Sequence, residues 1–217
     1  MINEKEVIRL RNLGVTKVEM GVQTTDDNIQ KLTKRGHTSK DVFNATGLLK
    51  DAGFKVSYHM MPNLPGSTAE FDKKMISELF ENSLYQPDYL KIYPCVVMPK
   101  TELSKWYSES KYKPYDEKTL QDVLFEELKS VPEWCRIDRI ARDIPSNEVE
   151  YGFRFSNIRQ ILEERMNKTK TPCRDIRARE IKNFNIKDEN IELITRSYDA
   201  SDGKEIFLSF EAVKSDK

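Results

Sequence analysis

Lys91 stands inside the apolar run Tyr89-Leu-Lys-Ile-Tyr93. Burying a lone ammonium costs several kcal/mol, so this lysine must meet an anion, meet a ligand, or snorkel out of its strand. Glu19, inside Lys17-Val-Glu-Met-Gly-Val22, poses the same problem with the opposite sign. Two arrangements remain open: a Glu19–Lys91 pair across the mouth of a site, or one of the two charges gripping a polar cofactor. His59, near the end of Lys55-Val-Ser-Tyr-His-Met-Met61, either faces that mouth or is a hydrogen-bonded structural histidine.

A second concentration of chemistry is Trp134-Cys-Arg136-Ile-Asp-Arg139-Ile-Ala-Arg142-Asp-Ile-Pro145. As an extended strand it would carry Arg136, Asp138, Ile140 and Arg142 on one face and Ile137, Arg139, Ala141 and Asp143 on the other. That pattern reads either as a solvated edge strand with local ion pairs or as a cationic shelf for a polyanion. From Arg136 to Lys182 there are nine Arg and three Lys against eight Asp and Glu, a net charge of +4, whereas the whole chain balances 36 against 36. Any electrostatic recognition must therefore come from local segregation of charge. The excess is mostly arginine, whose planar fork suits phosphate.

Other chemistries are poorly supplied. With only His37 and His59, histidine metal sites and catalytic triads have little to draw on. Cys95, Cys135 and Cys173 lie far apart, which excludes a local zinc knuckle and a CxxC pair and suggests reduced, cytosolic thiols. Pro62-Asn-Leu-Pro-Gly66 offers a rigid rim, not a nest of amides for phosphate. The charged start Met1-Ile-Asn-Glu-Lys-Glu does not resemble a signal peptide, and no apolar run approaches the roughly 20 residues that span a bilayer. A cytoplasmic protein is expected.

The elements that must position these residues alternate. A helix over residues 3–13 is stopped by Gly14 and followed by a strand from Lys17. A short helix over 26–34 leads to Arg35-Gly-His, and Ser39 is expected to cap the next helix, which Gly53 stops before a strand from Lys55. Ser67 opens a helix over 68–81 with Phe71, Met75, Ile76, Leu79 and Phe80 at helical spacing, and a third strand follows at Tyr89–Pro94. Strand starts 35 to 38 residues apart have the rhythm of βα units around a parallel sheet or barrel, whose chemistry sits at the strand C-termini. Three or four strands are too few to close a barrel. Residues 99–115 read as a polar connection with Trp106, Tyr107, Tyr112 and Tyr115 among lysines, 116–130 as a helix, and Ser156-Asn157 as the cap of a helix to Met166. Ile191–Tyr198, the turn Ala200–Gly203 and Glu205–Phe210 read as a β-hairpin, which must pack on something to be stable.

These motifs carry a resemblance. Lys17-Val-Glu-Met-Gly-Val-Gln-Thr, Arg35-Gly-His, His59-Met-Met-Pro-Asn-Leu-Pro-Gly and Leu90-Lys-Ile-Tyr-Pro look like the second half of a radical S-adenosylmethionine barrel. With Arg139-Ile-Ala-Arg-Asp-Ile-Pro, Ser156-Asn-Ile-Arg-Gln, Cys173-Arg-Asp-Ile-Arg-Ala-Arg-Glu and Tyr198-Asp-Ala-Ser-Asp-Gly-Lys-Glu-Ile-Phe-Leu-Ser-Phe-Glu, the chain resembles the Elongator catalytic subunit family over nearly its whole length. The family forms the carboxymethyl precursor at position 5 of the anticodon wobble uridine of tRNA, using a [4Fe-4S] cluster, S-adenosylmethionine and acetyl-CoA.

The resemblance implies that Lys91, Gln23 and Glu19 line the S-adenosylmethionine side of the barrel mouth. It implies that Arg136, Arg139, Arg142, Arg159, Arg174, Arg177 and Arg179 face tRNA phosphates near the anticodon stem-loop, with other Elongator subunits or a second copy as further partners and no membrane. The family's cluster cysteines and acetyl-CoA loop are not among the residues here, so the chain is expected to be a central part of the enzyme and inactive alone. Some relatives have extra cysteines around Cys173, where Asp175 and Ala178 stand nearby here, so no zinc or other metal ligand is expected, and Met98-Pro-Lys-Thr departs from the family's Ile-Arg-Gly-Thr.

The expected fold is α/β: residues 1–135 as the C-terminal half of a radical-SAM-type barrel, 136–185 as a basic linker, and 186–217 as the first hairpin of an acetyltransferase-like domain. The alternatives are a non-catalytic tRNA-binding or assembly module, and another radical enzyme acting on a small molecule.

Overall fold

In the computed structural model, which describes residues 2–141, 144, 148–152, 157–183, 185 and 187–217, helices and parallel strands alternate as expected. The order is α1 (Glu4–Asn12), β1 (Lys17–Gln23), α2 (Asp27–Leu32), α3 (Ser39–Asp51), β2 (Lys55–Met60), α4 (Ala69–Glu81), β3 (Tyr89–Ile92), α5 (Glu102–Ser108), α6 (Glu117–Lys129), β4 (Arg136–Ile140), α7 (Ile158–Thr169), α8 (Ile176–Arg179), β5 (Ile191–Ala200) and β6 (Gly203–Ala212). Strands β1 to β4 form one parallel sheet in sequence order, and β5 and β6 form an antiparallel hairpin.

The first two βα units start alike. Gly14 and Gly53 each follow a helix with φ +75°, the left-handed conformation that only glycine adopts without strain, and each feeds a strand three or two residues on. Thr38, not Ser39, caps α3: its hydroxyl accepts from the Asp41 amide while Asp41 accepts from the Thr38 amide. The Ser39 hydroxyl is committed elsewhere, to Asp27 at 2.9 Å and the Thr25 carbonyl. Thr68, not Ser67, likewise caps α4, because Ser67 donates to the buried Asp72. The expected connection at 99–115 contains α5, capped by Thr101. Asn157 stands before α7 without a side-chain cap, and Ser156 lies outside the described residues.

One face of the sheet is apolar. Val22, Val56, Tyr58, Met60, Leu90, Ile92, Ile137 and Ile140 are buried in a single core with Leu49 of α3, Met75, Ile76 and Leu79 of α4, Leu124 and Leu128 of α6, and Leu162 and Met166 of α7. The other face carries the polar residues of the same strands.

Residues 136–140, expected to begin a linker after residue 135, are the fourth strand of this sheet. Strict alternation is also broken there. The register shifts between Leu90 and Lys91, so Ile137 and Ile140, three positions apart, both point into the core. No helix among the described residues is long and apolar enough to cross a membrane.

The hairpin docks by one face. Tyr198 stacks on Trp134 with centroids 4.5 Å apart, the Ser201 amide donates to the Ser83 carbonyl, and Lys50, almost wholly buried, lies 3.6 Å from Glu205 and 3.5 Å from Asp88. Its other face exposes Leu193, Ile206, Leu208 and Phe210.

Candidate functional site

The polar face of the sheet is concave enough for its strands to meet across it. Lys91 of β3 reaches over β2 and donates to both oxygens of Glu19 on β1, at 2.8 and 2.7 Å. His59 of β2 lies 3.1 Å from the same carboxylate by its Nε2. Lys17 of β1 reaches β4, donating to Asp138 at 2.6 Å, with its ammonium 3.8 Å from the Tyr89 ring centroid and 3.6 Å from Glu19. Such contacts between first and last strands require a curled sheet.

The site is half open. Side-chain exposure is 39% for Glu19 and 22% for Lys91, so a ligand can reach both without unfolding anything. Lys91 holds the Glu19 carboxyl down at about 2, opposed by partial burial and helped by His59. Glu19 in turn pushes the Lys91 ammonium up. Both shifts favour the charged forms, so the pair stays ionised through the neutral range. Deeper on this face, the fully buried Ser57 hydroxyl has no hydrogen-bond partner and is in register with Glu19 and Tyr89.

Of the residues expected at the mouth, Glu19 and Lys91 are thus brought together. Gln23 is placed differently. It ends β1 in the left-handed conformation at φ +71°, is largely buried, and its amide donates to the His59 carbonyl at 3.4 Å, not to the pair. His59 does face the open side and is also hydrogen-bonded. Sequence reasoning missed Lys17, Asp138 and Tyr93, whose ring meets His59 edge-on at 5.7 Å. The signal was present: Lys17, Glu19, His59, Tyr89, Lys91 and Tyr93 occupy one phase of strands whose other phase is apolar.

The arginine segment turns mostly inward. Arg136 pairs with Glu180, and Arg177 donates to the Asp138 carbonyl. Arg159 reaches the Ile137 carbonyl at 3.3 Å, Asp175 at 3.4 Å and Glu163 at 2.8 Å. Arg174 holds Glu133 and Asp216, and the buried Arg179 holds Glu211. These five brace β4, α8 and the hairpin. Arg139 is exposed on β4, and Arg142 lies outside the described residues.

Two family descriptions match the chain: the Radical SAM superfamily over residues 1–76 and the Radical SAM C-terminal domain over residues 87–168. A tRNA uridine(34) acetyltransferase of Methanocaldococcus infernus is 44% identical over 99% of this chain and 41% of its own length. The human Elongator complex protein 3 is 39% identical over 91% of this chain and 37% of its own. The solved structure of Methanocaldococcus infernus Elp3 with an N-terminal deletion superposes with a TM-score of 0.92, covering 99% of this chain and 52% of that one. The chain therefore spans about two fifths of the length of the curated relatives it matches.

Proposed function

Because this chain belongs to the radical SAM superfamily, we propose that it is the central part of an enzyme that modifies the wobble uridine of tRNA. The observation that carries this reading is the concave polar face, with a charge-locked Glu19–Lys91 pair set on a parallel sheet. The relatives named as tRNA uridine(34) acetyltransferases supply the substrate class.

S-adenosylmethionine and a [4Fe-4S] cluster are the cofactors that superfamily membership implies. The polar face fits the first of them. A half-open ammonium and carboxylate, with an unpartnered Ser57 hydroxyl below, suit a zwitterionic amino-acid group. Lys91 would bind and orient its carboxylate, Glu19 would hold Lys91 in place, and Gln23 would shape the rim by fixing the His59 backbone. When bound with its cluster, this cofactor supplies radical initiation. The three cysteines do not fit the cluster: all are buried and distant in sequence, and burial pushes the Cys95 thiol up to about 11 and the Cys173 thiol up to about 12. Among the described residues no group of three His, Cys, Asp or Glu is placed to hold a metal.

On the same reading the hairpin is the opening of an acetyltransferase-like domain that uses acetyl-CoA, and the enzyme works on tRNA in the cytoplasm, alone or with other subunits. The exposed Arg139, with Arg142, would face tRNA phosphate. Arg136, Arg159, Arg174, Arg177 and Arg179 act on RNA only by holding the surface that presents it.

Calorimetric titration of this chain with S-adenosylmethionine tests the site. Lys91→Met is expected to weaken binding about 10-fold or more, as losing one hydrogen bond to a charged group does. Equal affinity in both proteins would return Glu19–Lys91 to a structural role.

A further inference from the structure

The aromatic connection of the sequence contains a feature that the proposed site does not use. Tyr107 of α5 lies flat against Tyr151, with ring centroids 3.8 Å apart and planes at 25°. Ser104, one helical turn before Tyr107 and so on the same face of α5, donates to Glu150 at 2.6 Å. That face of α5 thus grips the Glu150-Tyr151 dipeptide at two points.

The backbone of Tyr151 is also fixed. Its carbonyl accepts from the Val97 amide at 2.8 Å, and its amide donates to the Val97 carbonyl at 3.3 Å. Val97 is fully buried on the segment leaving the C-terminal end of β3, the strand that carries Lys91. Gly152, with φ +109°, holds a backbone conformation that L side chains rarely adopt, so glycine fixes the path of the chain just after Tyr151.

Tyr151 nevertheless remains 42% exposed. A ring pinned by backbone and by a stacked partner, yet held out in water, is preorganised to receive another flat group. The exposed lysines Lys100 and Lys105 stand on the same segment as Tyr107.

We propose that the Tyr107–Tyr151 stack is a platform for an unpaired nucleobase of RNA, with Lys100 and Lys105 meeting the adjoining phosphates. This rests on the tRNA reading above and adds to it a place where a base outside the helix is held. Stacking on an aromatic face tolerates any base and little affects the salt dependence, whereas lysine–phosphate contacts release counterions and set it. The two halves of the platform can therefore be measured apart.

The experiment is fluorescence anisotropy of this chain with a short stem-loop RNA bearing an unpaired loop, and with the same stem fully paired. The wild-type chain is expected to prefer the looped RNA. Tyr151→Leu should weaken looped-RNA binding about 5- to 150-fold, the range for losing one base stack, without changing the slope of affinity against salt. Tyr151→Trp should keep the preference, and it carries the test if the leucine variant unfolds early in a thermal melt. Lys100→Gln with Lys105→Gln should flatten the salt slope and leave the loop preference in place.

Four results overturn the platform. If Tyr151→Leu folds and keeps the full loop preference, or if Tyr151→Trp abolishes it, the stack is packing only and the tRNA reading stands. If the wild-type chain binds looped and paired RNA alike, the platform also fails alone. If it binds neither RNA, the platform and the tRNA reading fall together.

Discussion

At Glu19 and Lys91 solvent screens the attraction, so the pair contributes at most about 1 kcal/mol to stability. Its value is to hold an ammonium at a fixed place on an open face. The depressed Glu19 pKa makes what stability there is complete above the ordinary carboxylate value of 4.5 and lost as pH falls toward about 2. Glu127 is the opposite case. It lies on the buried side of α6 with no exposure, neither carboxyl oxygen has a partner, and burial, aided by the nearby Asp72, pushes its pKa well above 4.5. Asp72, itself buried, accepts from Ser67, Tyr115 and the Asn63 amide, whereas Glu127 has no such donors and is held as a neutral acid. As pH rises above 4.5, the unfolded chain releases this proton while the fold retains it, so stability declines with rising pH. Glu127→Met is expected to stabilise the chain by about 1–3 kcal/mol at neutral pH. It should also flatten the decline in urea-unfolding free energy between about pH 5 and 8. A less stable variant with an unchanged pH slope would show that Glu127 has a partner in solution.

Among the elements, α8 and the hairpin depend on one arginine-rich joint. Arg179 and Glu211 are each only 8% exposed, and Arg196 grips Glu211 and Glu133 from β5. Burial opposes charge on Glu211, but Arg196, Ser209 and Arg179 together hold it at about 2. Removing one partner of such a pair leaves a buried charge poorly compensated. Arg179→Met is expected to cost about 3 kcal/mol and to speed amide exchange across β5 and β6. Adding Glu211→Leu should restore part of that loss. Amide exchange in Arg179→Met equal to that of the parent would mean that the stack of Trp134 on Tyr198 holds the hairpin by itself. The basic run of the sequence is in this respect a brace: the carboxylates of Asp138 and Glu180 lie against Arg136, and that of Asp175 against Arg159, so part of its charge is absorbed locally.

For the whole molecule, the curvature that brings Lys17 to Asp138 could come from the ion pairs on the concave side or from packing on the convex side. The magnitudes decide. Asp138 is partly exposed, so Asp138→Ala should cost about 1 kcal/mol or less. Ile137 is fully buried in the core, so Ile137→Ala should cost about 2–5 kcal/mol. Comparable losses for the two in urea unfolding would mean that the ionic stitches shape the sheet. Helices α1 to α4, α6 and α7, the first three strands and the hairpin were legible because each keeps its own period of apolar residues and its own stops at Gly14, Gly53 and the Gly203 turn, whereas the short α5 and α8 were not. The fourth strand was harder to place. Its register shift sets Ile137 and Ile140 on the same side, which no strict alternation describes. Capping was ambiguous wherever two hydroxyl residues stood side by side, as at Thr38-Ser39 and Ser67-Thr68, because their other partners are remote in sequence.

By itself the sequence determined which strand phases are polar, where the longer helices lie, and the likeness to radical S-adenosylmethionine enzymes. Only the tertiary structure decided which charges meet: Glu19 with Lys91, 72 residues on, and Lys17 with Asp138, 121 residues on. Periodicity is a local property, set by the backbone geometry of each element. Ion partners depend on strand order, on register and on how far the sheet curls, and those are fixed by packing the convex side against its helices.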